Sequence, residues 1–271
     1  MEKRIALVTG STDGIGLETA LVLGRRGYSV ILHGRSQKKL DQSMEHLESR
    51  IPGSVENGVL ADFSQLQQVR DLGRNLAKNY PKLNVVIHNA GTFQPTRTLS
   101  EDGWELTLQV NHLAPALLNE YLMRPLDAGA PSRLVWVSSV AHNRGTIPWD
   151  DLNSEKDYHG YKAYAASKLA NALYAFKLAR MTDPLRLGVF ALHPGVIPTK
   201  ILKIGFNRDT GLSFSQGAAT SVYLATEASL QGHTGEYWSE GIQILPSETA
   251  QDLELQDLLY EWTQQALAIV T

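Results

Sequence analysis

Short runs of aliphatic and β-branched residues alternate along the chain with longer stretches in which apolar positions recur at helical spacing. Arg4 to Val8, Ser29 to His33, Val55 to Leu60, Asn84 to His88, Arg133 to Ser138 and Leu187 to Leu192 read as strands. The helical period predicts helices near 14–27, 37–50, 64–79, 101–124, 161–181 and 215–228. One more is expected near 250–270, where Leu255, Leu258, Leu259, Trp262 and Ala266 make one apolar stripe. Continuously apolar strands need cover on both faces, and strands separated by helices run parallel through right-handed crossovers. The predicted fold is α/β: one domain over 1–271, a doubly wound parallel sheet with helices on both faces. Segments 141–160 and 199–213 fit neither period. Long irregular segments in a compact domain usually carry function, so both are expected to contact substrate.

Composition narrows the classes. The 271 residues are 43% hydrophobic and 20% charged, enough for a large buried core. With 25 basic against 28 acidic residues the net charge is −3, which argues against a nucleic-acid groove binder. Cysteine is absent, so disulfides, thiolate metal sites, iron–sulfur clusters and a cysteine nucleophile are excluded. The eight histidines show no metal-ligand spacing, and no Gly-x-Ser-x-Gly elbow occurs; no metal site and no hydrolase are expected. Because no apolar run approaches the length of a membrane span and no apolar segment follows Met-Glu-Lys-Arg, neither a span nor a signal peptide is predicted. A cytoplasmic protein is the expectation.

The first strand ends in Gly10-Ser11-Thr12-Asp13-Gly14-Ile15-Gly16, followed by a helical pattern. Glycines here allow a tight turn, contact of a pyrophosphate with backbone, and close packing of helix on sheet, with phosphates facing the helix N-terminus. A glycine-rich turn that is only a turn is the plain alternative. Strand two ends in His33-Gly34-Arg35, and no carboxylate lies between Glu18 and Asp41 to accept from ribose hydroxyls. Arg35 offers a fork of donors to a 2′-phosphate instead, so NADP(H) is preferred over NAD(H). A solvated loop arginine is the alternative.

Hydride transfer to a carbonyl leaves an oxygen that needs a proton, and a free tyrosine is a weak acid at neutral pH. Tyr164 and Lys168 stand at i and i+4 of a predicted helix and so share a face. A lysine charge about 4 Å away, at an effective dielectric near 20, is worth up to about 4 kcal/mol, which would bring the phenol toward about 7. Such pairs also arise in many helices without chemistry. Tyr158 and Lys162 repeat the spacing across Gly160, ahead of the helix, where the two need not face each other; Tyr164 is the choice. Ser138 and Ser139 end strand five, at the sheet edge where doubly wound folds hold ligands, and a hydroxyl there can steady a developing oxyanion.

Thr9 to Gly16, Asp62, Asn89-Ala90-Gly91, Asn111, Ser138-Ser139, Tyr164 to Lys168 and Pro194-Gly195, in that order over most of the chain, resemble the short-chain dehydrogenase/reductase family, a Rossmann-type fold. The resemblance implies catalytic roles for Asn111, Ser139, Tyr164 and Lys168. Ser139 would orient the carbonyl oxygen, Lys168 would also bind ribose, and Asn111 would hold a water linking Lys168 to solvent. A buried asparagine that only satisfies backbone is the alternative for Asn111. Gly34 would occupy the position of the discriminating acid. Asp62 and Phe63 would lie at the adenine, with an N-cap as the bland reading of Asp62. Asn89, Ala90 and Gly91 would support the sheet's centre and pass the ribose. Pro194, Gly195, Ile197 and Thr199 would meet the nicotinamide.

Ser139 and Tyr164 stand 25 positions apart, a long interval that looks like the retinol dehydrogenase-like and WW-domain oxidoreductase-like branch. Apolar carbonyls or alcohols are the implied substrates, and Phe93, Trp149, Ile201, Leu202, Ile204, Phe206, Leu212 and Phe214 would supply an apolar mouth, or serve equally as lid packing or a subunit contact. The resemblance implies a homodimer or homotetramer. Ala165, Ala166, Ala172, Ala175 and Ala179 permit close helix packing, or simply face the sheet. A catalytically silent dinucleotide-sensing or scaffold protein is the alternative function; an epimerase or dehydratase usually needs a longer chain.

Overall fold

The computed structural model describes residues 3–268. Its strands are β1 (Arg4–Val8), β2 (Tyr28–Gly34), β3 (Val55–Leu60), β4 (Val85–His88), β5 (Ser132–Val137), β6 (Leu187–His193), β7 (Glu236–Ser239) and β8 (Ile242–Ile244). They form one sheet in the order β3-β2-β1-β4-β5-β6-β7-β8, parallel except for the last, antiparallel pair. The helices are α1 (Gly14–Arg25), α2 (Gln37–Arg50), α3 (Leu66–Asn79), α4 (Leu106–Leu108), α5 (Ala114–Ala128), α6 (Gly160–Met181), α7 (Lys200–Phe206), α8 (Phe214–Thr226), α9 (Glu248–Gln251) and α10 (Leu253–Ala266).

Successive strand residues feed opposite cores, as the pleat requires. Ala6, Val8, Val30, Leu32, Val85, Ile87, Val135 and Val137 pack with residues of α1, α2 and α8. Leu7, Ile31, Val86, Leu134, Trp136, Val189 and Ala191 pack with residues of α3, α5, α6 and α10. The doubly wound sheet follows from this two-sided burial. Its strand order reverses between β1 and β4, which opens a crevice at the carboxyl ends of the strands.

Several boundaries differ from the periodic reading. Strands β7 and β8 escape it because they are short and flanked by Gly235 and Gly241, and all three residues of β8 are exposed, leaving no alternation to see. The helix expected from 101 begins at Leu106: Ser100 to Trp104 closes a turn instead, and the Asp102 carboxylate accepts from the Leu66 N–H at 2.8 Å, capping α3 from afar. Between α4 and α5 the chain passes through a π-helical turn, Gln109–Leu113.

The helix expected over 250–270 is two, because Asp252 accepts from the N–H groups of Glu254 and Leu255 and starts α10 afresh; residues 269 and 270 lie outside the described residues. Its apolar stripe is incomplete: Leu258 faces solvent, while Gln256, Thr263 and Gln264 are buried. These polar groups find partners inside. The Thr263 hydroxyl lies 2.9 Å from His112 Nε2, and Gln264 Nε2 donates to Glu120 Oε1 at 3.0 Å. Of the small-residue row, Ala165, Ala172, Ala175 and Ala179 are buried within the chain's own packing, while Ala166 is half-buried. Among the described residues no helix is long and apolar enough to cross a membrane, and no His/Asp/Glu group is placed to hold a metal.

Burial holds four imidazoles neutral: His33, His112 and His193 are pushed down to about 4 and His88 to about 3. On unfolding each returns toward about 6.5 and binds a proton in acid that the native state refuses. Stability should be fully present above about pH 7 and fall steeply as pH drops from about 6.5 to 4, by up to about 3 kcal/mol for each imidazole. Urea unfolding across that range checks this; a flat profile would contradict it.

Candidate active site

The crevice is a cavity of about 1090 Å³. Its floor is the turn after β1. Thr9 Oγ1 accepts from the N–H groups of Asn89 and Ala90, and Asn89 Nδ2 donates to the carbonyls of Thr9 at 2.9 Å and Gly10 at 3.2 Å. This knot ties β1 to β4 where the strand order reverses. Gly10 has φ +63°, and a Cβ there would come within 2.9 Å of Ala90 Cα. At Gly16 a Cβ would overlap the Gly10 carbonyl and the Asn89 amide.

At the start of α1, Asp13 stands at the N-cap position without a side-chain cap; its carboxylate pairs with Lys200 Nζ at 2.7 Å. That pairing holds the Asp13 carboxyl below its ordinary range. The first N–H groups of α1 are thus left without a side-chain acceptor beside the cavity, the arrangement that receives a phosphate. Arg35, Lys39, Lys168, Lys200 and Arg208 line the cavity against only two carboxylates, Asp13 and Asp62, so its field favours an anion. Gly34 leaves no room for an acid at the end of β2, because a Cβ there would overlap Thr12 Cγ2. Lys39, one turn into α2, escaped the sequence reading, although its place four residues beyond Arg35 was visible.

Gly10, Thr12, Asp13, Gly14, Ile15, Gly16, Arg35, Asp62, Phe63, Asn89, Ala90, Gly91, Pro194, Gly195, Ile197 and Thr199 all line the cavity. Ser11 does not. It is fully buried behind the turn, where its hydroxyl accepts from the His33 N–H at 2.9 Å and staples β1 to β2. Asp62 is no helix cap, since α3 begins at Leu66; its Oδ1 accepts from Ser64 N and Oγ in a local turn.

On the opposite wall Ser139, Tyr164 and Lys168 come together. Ser139 follows β5 and its Oγ accepts from the Ala141 N–H at 3.2 Å. Lys168 is 3% exposed, and Nζ donates to the Val137 carbonyl at 2.9 Å. Ser138 takes the supporting part, donating to the Lys168 carbonyl at 2.7 Å. Lys168 Nζ stands 5.7 Å from the Tyr164 ring centre. The expectation that this charge brings the phenol toward neutrality is not met. Burial, the larger effect, pushes Tyr164 up to about 12 against the pull of Ser139, while the same burial lowers Lys168 to about 8.

Asn111 is fully buried in the π-helical turn and is not part of the cavity wall. Its amide donates to the Thr92 carbonyl at 3.0 Å and to Ser167 Oγ at 2.9 Å, and its Oδ1 accepts from Thr92 N–H at 2.7 Å. Both amide protons are spent on holding the loop after β4 to α6, and a Cβ on Gly91 would meet Asn111 Oδ1 at 3.3 Å and Lys168 Nζ at 3.5 Å, so the asparagine stands beside the lysine. Tyr158 and Lys162 are separated as the glycine between them implies. Tyr158 donates to the Gln94 carbonyl at 2.8 Å, and Lys162 lies by Asp157 at 3.6 Å.

Of the expected apolar mouth, Ile201, Leu202, Phe206 and Phe214 line the cavity. Phe93 is buried behind the Tyr164 ring, with centres 5.8 Å apart, and Leu212 packs at Gly195. Trp149 and Ile204 are 41% and 57% exposed and lie off the wall. Tyr161, set at right angles to Phe206 with centres 5.8 Å apart, joins the wall unforeseen. Segment 199–213 contributes Thr199, Lys200, Ile201, Leu202, Phe206 and Arg208, but from 141–160 only Ala141 reaches the cavity. The rest of that segment is pinned elsewhere: Asn153 Oδ1 accepts from Glu105 N–H at 2.6 Å, and Tyr158 also donates to Glu105 Oε1 at 3.2 Å.

Residues 4–208 match the family model described as short chain dehydrogenase. Retinol dehydrogenase 14 of Homo sapiens is 34% identical, over 89% of this chain and 79% of that protein. The short-chain dehydrogenase TIC 32 B, chloroplastic, of Brassica napus is also 34% identical, over 95% of this chain and 87% of its own. Among solved structures, a chain from Escherichia coli CFT073 complexed with NADPH superposes with TM-score 0.74 at 28% identity, covering 88% of this chain and 97% of that one. The chain belongs to the short-chain dehydrogenase family. Within it, the similarity falls on the retinol dehydrogenase-like branch. The family comprises dehydrogenases and reductases that use nicotinamide cofactors, and the glycine turn, uncapped α1 and basic rim fit that group.

The crowding at Gly16 gives a direct test. Gly16→Ala should destabilise the protein by about 1–3 kcal/mol, as overpacking does, and loosen nucleotide binding with it. Urea unfolding and a dinucleotide titration would show both losses together; an unaltered midpoint would contradict the packing argument.

Proposed function

We propose that this chain, one oxidoreductase domain over 1–271, is an NADP(H)-dependent enzyme that transfers a hydride between nicotinamide and the carbonyl or alcohol carbon of a hydrophobic ketone, aldehyde or alcohol. The observation that carries the reading is Ser139, Tyr164 and Lys168 on one wall of a cavity whose far end offers an uncapped helix N-terminus and a basic rim. When bound, the nicotinamide supplies or takes the hydride. Arg35 and Lys39 would take a 2′-phosphate, Asp62 and Phe63 the adenine, and Pro194 to Thr199 the nicotinamide end; that all of them line the one cavity supports the reading.

The chain's own residues manage the oxygen. Tyr164, held protonated by burial, is the acid that gives its proton to the oxygen of the reduced carbonyl, a far stronger base than a phenolate. The Lys168 ammonium beside the ring stabilises the phenolate left behind. Ser139 Oγ orients the same oxygen. Asn111 supports this wall by fixing Thr92 and Ser167. Ile201, Leu202, Phe206 and Tyr161 supply apolar surface for a bulky substrate, in keeping with a retinol dehydrogenase among the relatives. A cytoplasmic location completes the reading; cell fractionation tests it.

Tyr164→Phe should lower kcat by at least about 100-fold while NADPH affinity stays within a few-fold, because only the proton donor is removed. Retained turnover would refute the assignment. Replacing Arg35 and Lys39 together by alanine should weaken NADPH about 10–100-fold and leave NADH nearly unchanged, since only the 2′-phosphate contacts are lost. Equal loss for both dinucleotides would refute the NADP preference.

A further inference from the structure

One buried imidazole next to the site has every polar contact accounted for. His142 lies in the 3₁₀ turn Val140–Arg144 that follows Ser139, is 1% exposed, and is not part of the cavity wall. The Ser247 N–H donates to its Nε2 at 3.1 Å, and its Nδ1 lies 2.7 Å from the Ser139 carbonyl oxygen. A carbonyl can only accept and the Ser247 amide can only donate. Nε2 must therefore be the bare nitrogen and Nδ1 must carry the hydrogen. The ring is further held against Tyr237 of β7, centres 4.5 Å apart.

The Ser139 carbonyl thus accepts twice, from the His142 ring and from the His142 backbone N–H at 3.0 Å. Two donors on one carbonyl fix the peptide plane that follows Ser139, and with it the direction in which the Ser139 side chain leaves the backbone. Ser247 belongs to the segment between β8 and α9, which is 108 residues further along the chain and touches the site nowhere else on the cavity wall. Its amide and the Ser139 carbonyl select the same tautomer of His142, because the other would set a lone pair of Nδ1 against the carbonyl and an Nε2–H against the amide hydrogen.

We propose that His142 is a positioning residue for Ser139, and that the Ser247 amide, by anchoring the ring at Nε2 so that Nδ1–H stays on the Ser139 carbonyl, makes the docking of the C-terminal segment a requirement for full turnover. The inference rests on the role given to Ser139 above. It assigns His142 no contact with substrate or cofactor; it acts through the geometry of the serine.

Three replacements separate the contacts. His142→Phe keeps the ring against Tyr237 and removes both hydrogen bonds; His142→Asn keeps a donor where Nδ1 stands; His142→Gln keeps an acceptor reaching toward Ser247 but loses the donor. With benzil as the carbonyl probe and NADPH as reductant, His142→Phe and His142→Gln should lower kcat about 10–100-fold at a KM within about threefold, and His142→Asn should recover most of the loss. NADPH affinity should not move in any of them. Equal loss in all three, or kcat within about twofold for His142→Phe, overturns the proposal.

Ser247→Pro deletes the amide hydrogen at a residue whose φ of −56° suits proline, and Ser247→Ala removes only the hydroxyl cap of α9. The first should move the nitrogen-15 shift of His142 Nε2, which loses its donor while Nδ1 stays protonated, and lower kcat; the second should do neither. An Nε2–H tautomer in the unaltered protein overturns the proposal whatever turnover does. Unchanged turnover in Tyr164→Phe and Ser139→Ala would instead remove the enzymatic reading, with the tautomer measurement still deciding the Ser247 contact.

Discussion

The site depends on an ammonium group carried out of water. Lys168 sits inside the wall formed by β5 and α6, and the Val137 carbonyl is the acceptor the protein provides for it. Placing a cation there costs several kcal/mol before any interaction offsets it, which is why burial lowers its pKa to about 8. The return bond, Ser138 hydroxyl to Lys168 carbonyl at 2.7 Å, makes a two-way strap between strand and helix. The strap sets where α6 lies on the sheet, hence where Tyr164, one turn earlier on the same helix, meets the cavity. The same low-polarity wall that penalises the ammonium also keeps the Tyr164 phenol protonated. Burial and chemistry here are one constraint: a phenol and an ammonium that both lack water respond strongly to each other once a proton leaves.

The far end of the cavity is governed by the opposite economy. There the protein leaves backbone donors unspent: α1 begins without a side-chain cap, and Asp13, the residue in position to cap it, turns to Lys200 of α7. An anion entering this end meets N–H groups and basic side chains at the rim, with little protein reorganisation needed. The Thr9–Asn89 knot keeps the glycine turn rigid while it waits. Lys200 also links α7 to the start of α1, so these two parts of the cavity wall share a charged contact.

What the sequence disclosed and what it withheld divide along physical lines. Continuously apolar strands and the helix-borne Tyr164–Lys168 spacing were legible because period and burial are local properties of the chain. Tyr158 was correctly set aside on a local rule as well, the glycine between it and Lys162. Residues whose environment is made by distant segments were not legible. Ser11 belongs to the right turn yet points behind it, since the side-chain direction there is fixed by pairing with His33 of β2. Asn111 is spent on Thr92 and Ser167, a choice made by the π-helical turn that no pattern of residue types announces. The phenol pKa was missed for the same reason: a helical spacing gives the distance to a charge, but desolvation is a property of the whole fold.

The fold also separates its constant parts from its adjustable ones. Sixteen of the 22 residues of α6 are buried, Tyr164 and Lys168 among them, so both are held by packing. None of the seven residues of α7 is buried, though Ile201, Leu202 and Phe206 line the cavity. Substituting along α7 therefore reshapes the apolar wall at small cost to the core, whereas the same change on α6 would open a cavity in it. The aromatic contact from Phe206 to Tyr164, with ring centres 6.2 Å apart, is the point at which the two regimes meet.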